Sequence, residues 1–165
     1  MTQLEPQITI QQLDPGELRD NELQLELLKF APHAMHQVPT YHFRMIDTAS
    51  SKEAGNINLR LGWDENLTIY SGHIGYGVDE PYRGRRYAAR SLKLLKPLAL
   101  RHGFSALWIT CNPDNPASQR SCELAGAEFV EVITAPIDSR YYSIGVRQKC
   151  RYRLILLDVI EIAIT

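Results

Sequence analysis

The nineteen residues from Gly72 to Arg90, GHIGYGVDEPYRGRRYAAR, decide the reading of this chain. The apolar start predicts a strand that ends near Val78. Asp79 to Arg83 form a turn, and a helix opens at about Gly84. A strand that feeds a helix through a glycine-bearing turn is an anion site in physical terms. Free backbone N–H groups converge at the helix start, and the helix dipole adds attraction. Gly84 lets the backbone approach a ligand closely. Arg83, Arg85 and Arg86 bring charge that can pair with phosphate oxygens. No Gly-Lys-Ser/Thr follows the glycine, so this is not a Walker loop, and GxGxxG is absent, so it is not a dinucleotide fingerprint.

Outward from this stretch, charge is unevenly spread. Residues 81–102 hold Arg83, Arg85, Arg86, Arg90, Lys93, Lys96 and Arg101 with no acid, whereas residues 1–30 carry six acids against two bases, 2 − 6 = −4. Residues 140–153 add five more bases and no acid. The whole chain of 165 residues has a net charge of only −1, which argues against a general nucleic-acid binder and for a local anionic ligand. That length fits one domain, 1–165, able to bury a core without disulfide or metal. Cys111, Cys122 and Cys150 are odd in number and widely spaced, so they read as reduced thiols of a cytoplasmic protein. No apolar run approaches a membrane span, and the N-terminus has acids where a signal peptide has bases.

The flanking pattern predicts an α/β fold of the α+β kind, a mixed sheet of about six to seven strands flanked by helices. QITIQQL, residues 7–13, reads as a strand. Glu17 to Phe30, with leucines spread among charges, reads as an amphipathic helix. Ala31 to Thr40 reads as a loop. Tyr41–Ile46, Asn56–Leu61 and a long Leu67–Val78 read as strands. Gly84–His102 is a helix stopped by Gly103, with Pro97 expected to kink it. Ala106–Cys111 is a strand, Pro116–Leu124 a short helix, and Glu128–Thr134 and Cys150–Ile160 the last strands.

With these elements in place, the chain resembles the GNAT N-acetyltransferases. Their pyrophosphate loop reads Gln/Arg-x-x-Gly-x-Gly/Ala, and this chain has Arg83-Gly84-Arg85-Arg86-Tyr87-Ala88. The first and sixth positions match; Arg86 stands where the family has glycine. Further on, NPDNPASQRSCELAGA from Asn112 to Ala127 is similar to the family's second motif at Asn115, Glu123 and Gly126. The pairing of GHIGYGV with TCNPDN also resembles a bacterial subgroup of predicted acetyltransferases.

The resemblance implies direct transfer of acetyl from acetyl-CoA to a primary amine of a small molecule or peptide, with no metal and no covalent enzyme intermediate. It puts the pyrophosphate on residues 83–88 and the pantetheine beside Asn115. The backbone of Tyr76 and Val78 would bond the pantetheine and polarise the thioester. A homodimer is compatible with the resemblance, while the charge balance and the lack of a long apolar run argue against a nucleic-acid or membrane partner. The family's tyrosine proton donor aligns with Cys122, and the glutamate base of some relatives with Thr110. His73 has a suitable unperturbed pKa and is a candidate for the amine's proton transfer. Tyr141 and Tyr142 lie where relatives shape the acceptor site. His33 and His36 are spaced for a metal but lack a third ligand nearby. The alternative is an acyl-CoA-binding module without catalysis.

Overall fold

A computed structural model describes residues 7–157. The chain runs β1 (Leu18–Arg19), β2 (Leu23–Pro32), β3 (Pro39–Asp47), β4 (Lys52–Arg60), a π-helical turn (Leu67–Ser71) and β5 (Ile74–Val78). It continues through α1 (Tyr87–Arg101), β6 (Ala106–Cys111), α2 (Pro116–Leu124), β7 (Glu128–Thr134), the one-turn α3 (Arg140–Ser143) and β8 (Gln148–Ile155). Strands β1 to β5 form an antiparallel sheet in chain order; β6, β8 and β7 form a second one in that order. Helix α1 buries Leu92, Leu95, Leu98 and Ala99, which join sheet residues such as Phe43, Ile57, Leu107 and Leu154 in one apolar core. Pro97 lies on the exposed face of α1, which runs on through it from Tyr87 to Arg101.

Four expectations from the sequence are corrected. The helix expected over Glu17–Phe30 is instead β1 and most of β2. Leu23 and Leu25 are buried between outward Gln24 and Glu26, a period of two rather than 3.6. A register shift after Leu27 leaves Leu28 exposed, so its helix-like spacing comes from a bulge. The expected loop from 31 to 40 shrinks, because Pro32 and Pro39 face each other as the last pair of the β2–β3 ladder. The expected strand over residues 7–13 joins no ladder. It is pinned instead by Thr9, whose N–H donates to the His102 carbonyl at 2.8 Å, and by Leu13, whose N–H donates to the Tyr41 hydroxyl at 2.7 Å.

The long strand expected over Leu67–Val78 is broken. Its first five residues form the π-helical turn, started by Asp64, whose carboxylate accepts from the Leu67 N–H at 3.0 Å. Gly72 reverses the chain with φ +71°, and a Cβ there would lie 2.7 Å from the Trp108 carbonyl oxygen. Only glycine fits this crossing. The expected last strand ends at Ile155, and its tail beyond Leu157 lies outside the described residues.

The Gly72 crossing sets up the site. A single antiparallel bridge, Gly72 to Ile109, and a bond from His73 N–H to the Trp108 carbonyl join the residues just before β5 to the middle of β6. Beyond it β5 pairs only with β4, and β6 only with β8. Past that point the two strands part and leave a gap between them.

Candidate active site

Two clefts open where β5 and β6 separate. The larger, of about 700 Å3, is walled by Tyr76 to Val78 of β5, the turn from Tyr82 to Ala88 and the outer face of α2. The smaller, of about 350 Å3, lies between β5, the ends of β6 and β8, and the segment around Tyr141. Tyr76, Asn115 and Ser118 line both, so the clefts meet there.

The large cleft gathers groups whose chemistry suits an anion. Arg83, Gly84, Arg86, Tyr87 and Ala88 line it, and no side chain caps the N-terminus of α1. The free amides of the first turn thus remain available to a ligand. Gly84 has φ +86° with nothing within 4 Å of a Cβ, so a side chain there would enter open space at the turn. Arg86 holds the left-handed conformation at φ +61°, immediately before the helix. Glycine would adopt that conformation without strain. Arginine bears the strain at a cost of about 1–2 kcal/mol. The helix begins at Tyr87, three residues later than expected, because Gly84 and Arg86 are both outside helical space.

Arg85 departs from expectation: it is absent from the cleft wall and turns to Asp47, 3.5 Å away. Asp47, at the end of β3, also accepts from the Tyr87 hydroxyl at 2.5 Å and from Ser50 at 2.6 Å. The Ser50 and Tyr87 bonds hold its carboxyl below the usual carboxylate range. Asp47 therefore anchors both ends of the Arg85–Tyr87 stretch to the sheet, a role its place in a strand-end turn gave no sign of. The Arg83 side chain folds back so that its Nε donates to the Val78 carbonyl at 3.0 Å. Arg120 of α2 brings a further cation to the opposite wall.

At the junction the Tyr76 hydroxyl sits 2.6 Å from Ser118 Oγ. Asn115 caps α2 by accepting from the Ser118 N–H at 3.1 Å, which fixes Ser118 in the first turn. Burial pushes the Tyr76 phenol above its ordinary pKa, so it stays protonated. Cys122 lies one turn behind Ser118, fully buried, with its Sγ 4.0 Å from the Tyr76 hydroxyl. Burial pushes its thiol up to about 12. Cys122 lines neither cleft. The expected donor position is thus filled by a core side chain, and the hydroxyl pair at Tyr76 and Ser118 faces the clefts in its place. The Asn-x-x-Ser spacing from Asn115 to Ser118 was the signal that could have found it.

His73 is a correction of position. It is fully buried, lines neither cleft and has both ring nitrogens engaged. Nε2 lies 2.9 Å from the Gly62 carbonyl and donates to it; Nδ1 accepts from the Trp108 N–H at 2.9 Å. That pattern is the neutral ring, and burial pulls its pKa down to about 4. The ring stacks on Trp63 and edges onto Phe104, which makes it a clasp between β5, β6 and the core.

In the small cleft Tyr141 is buried, stacked on Tyr70 at 4.5 Å, and its hydroxyl donates to the Asn66 carbonyl at 3.1 Å. Tyr142 does not line it; the Arg147 guanidinium covers its ring at 3.5 Å. Thr110 lines it, with its hydroxyl spent on the Tyr70 carbonyl. Arg60 and Lys149, which the sequence did not single out, line it as well. His33 and His36 are turned to local bonds: His33 Nδ1 accepts from backbone N–H groups and His36 Nε2 meets Ser71 Oγ at 2.7 Å. Among the described residues no group of three His, Cys, Asp or Glu is gathered as a metal would need, and no helix is long and apolar enough to cross a membrane.

Several solved structures that superpose on this chain are acetyltransferases. A ribosomal-protein-S5-alanine acetyltransferase from Vibrio fischeri superposes with a TM-score of 0.63 at 14% identity, covering 86% of this chain and 97% of that one. A GNAT-family acetyltransferase from Bacillus anthracis gives 0.61 at 15% identity, covering 85% and 98%. The ribosomal L7/L12 alpha-N-protein acetyltransferase RimL, in complex with coenzyme A, gives 0.54 at 20% identity, covering 70% of this chain and 62% of its own. No curated protein sequence is significantly similar. At these identities the structures establish a shared fold. The family model for the acetyltransferase (GNAT) domain matches residues 6–128, well over half of the chain. The protein therefore belongs to the GNAT acetyltransferase family.

Proposed function

We propose that the protein is an acetyl-CoA-dependent N-acetyltransferase that passes acetyl directly to a primary amine of a small molecule or a peptide. The observation that carries this reading is the meeting of two clefts at the Tyr76–Ser118 hydroxyl pair. A phosphate-seeking cleft on one side and an open cleft on the other allow two substrates to meet without an enzyme-bound intermediate.

In this reading the pyrophosphate sits on the 83–88 turn, held by the first amides of α1 and by Arg83, Arg86 and Arg120. The pantetheine runs along the edge of β5 that faces β6, where no ladder occupies the backbone. The thioester then reaches the junction. Amine nitrogen attacks the carbonyl carbon, the C–N bond forms, and the C–S bond breaks. The departing thiolate is stabilised by a hydrogen bond donated by the Ser118 hydroxyl, which the Tyr76 hydroxyl orients, and is then protonated from water. The nitrogen's surplus proton leaves to water. No carboxylate lines the acceptor cleft among the described residues. Arg60 and Lys149 serve instead by electrostatics: two nearby cations disfavour an ammonium, lower the bound amine's pKa and deliver it neutral. Neither His73 nor Cys122 takes part in proton transfer.

Amine-dependent release of CoA thiol, with the N-acetyl product identified by mass, tests the proposal. Ser118→Ala should lower turnover by about 10²-fold while acetyl-CoA affinity is retained. Acetyl-CoA binding with no release for any amine would instead make the chain a binding module.

A further inference from the structure

Resting on the transferase reading, we propose that the acceptor carries an anionic group, of the carboxylate class, close to its amine, and that Lys149 and Arg60 hold it. A pattern of paired charges breaks off on β8. Lys149, Arg151 and Arg153 alternate along one face of the strand. Across the ladder Arg151 faces Glu131 and Arg153 faces Glu128, and each pair closes to an ion pair, at 2.6 and 3.5 Å. Lys149 faces Ile133. The acid–base series stops at the residue that lines the acceptor cleft, and among the described residues Lys149 has no ion-pair partner.

Arg60 repeats the observation from the other wall. Its Nη1 donates to the carbonyls of Ser71 and Gly72 at 3.0 and 2.9 Å, which fixes the guanidinium without neutralising it. It too is half-buried and forms no ion pair among the described residues. Elsewhere the chain pairs such half-buried arginines with acids, as Arg90 does with Asp20 at 2.6 Å. Two desolvated cations on one small cleft, with no Asp or Glu in its wall, leave a charge deficit that a ligand carboxylate would fill. The same cations repel an ammonium, so an acceptor without an anion would be excluded by the field that helps deliver the amine neutral. Tyr70, Tyr141, Met35 and Val146 complete the wall with aromatic and apolar surface. At about 350 Å3 the cleft admits one or two residues' worth of ligand. The carboxylate can be that of a free amino acid or the side chain of an acidic residue at a peptide's start.

Matched amines separate these sources. The first arm compares leucine with leucinamide; the second compares tripeptide amides beginning with aspartate and with asparagine. Each is assayed for kcat/KM by thiol release, and each acetylated product for binding to the protein–CoA complex by calorimetry. The carboxylate member of at least one arm should be favoured by about tenfold or more, and Lys149→Gln should abolish that preference while the KM for acetyl-CoA stays unchanged. Lys149→Arg should restore part of it. Turnover of the neutral members equal to or above the carboxylates in both arms overturns the proposal and leaves the transferase reading intact. Lys149-dependent binding of a carboxylate product without turnover of any amine supports the site and removes the transferase reading. Neither turnover nor carboxylate-selective binding overturns both.

Discussion

Replacing His73 with glutamine separates a structural histidine from a catalytic one. In the fold the ring is neutral, bonded at both nitrogens, and its pKa is pulled from 6.5 to about 4 by burial. In the unfolded chain it returns to the ordinary value. Between those two pKa values the unfolded state binds a proton that the folded state refuses, so stability is present above 6.5 and is lost as pH falls toward 4. At 1.36 kcal/mol per unit the full shift amounts to about 3 kcal/mol, of which about 2 kcal/mol is lost by about pH 5. His33, His36, His42 and His102 are also shifted down, so acid weakens the wild type through several groups. The difference between wild type and His73→Gln isolates this one. At about pH 7 the variant should be less stable by about 1–3 kcal/mol for the lost clasp to Gly62 and Trp108. By about pH 5 that gap should narrow by about 2 kcal/mol. Urea unfolding at both pH values measures it. Equal pH slopes in the two proteins, together with lost turnover and unchanged stability, would return His73 to the chemistry.

Three further substitutions probe the cofactor side. Gly84→Val should strain the φ +86° backbone and fill the space where phosphate approaches, so calorimetry should find acetyl-CoA affinity reduced by about tenfold or more. Unchanged affinity would put the anion elsewhere. Arg86→Gly relieves a left-handed arginine and should raise stability by about 0.5–1 kcal/mol after glycine's extra unfolded-state entropy is deducted. A loss of stability would show that the side chain supports the turn. Cys122→Ala should cost about 1 kcal/mol, seen as a melting temperature lowered by about 2–4 °C, and leave turnover near wild type. A large turnover loss with unchanged melting would make the thiol a proton donor.

What was legible in the sequence followed local chemistry. Strand β6, helix α2 and strand β7 were read with their limits right, because Gly, Pro and Asn punctuate them and their patterns are short-range. The 17–30 segment misled because its leucines fit a helix until a bulge in pairing with β3 is known, and pairing is a long-range fact. The 67–71 turn was hidden for a similar reason: Gly72 is required by the backbone of Trp108, thirty-six residues away. The candidate site divides the same way. Residues 83–88 and Asn115 could be named from motifs. Arg60, Asp47 and Lys149 could not, because what marks them is the partner each has or lacks across the fold. His73 and Cys122 looked reactive by type and proved to be buried and engaged, which only their surroundings reveal.

The position of the CoA sulfur decides whether the two clefts meet at the reacting thioester. A crystal structure of the protein with CoA should show the pyrophosphate on the amides of Tyr87 and Ala88, the pantetheine between β5 and β6, and the sulfur within about 4 Å of Ser118 Oγ, the range of a hydrogen bond to sulfur. A sulfur far from Ser118 and Tyr76, or a pyrophosphate bound away from the 83–88 turn, would contradict the account.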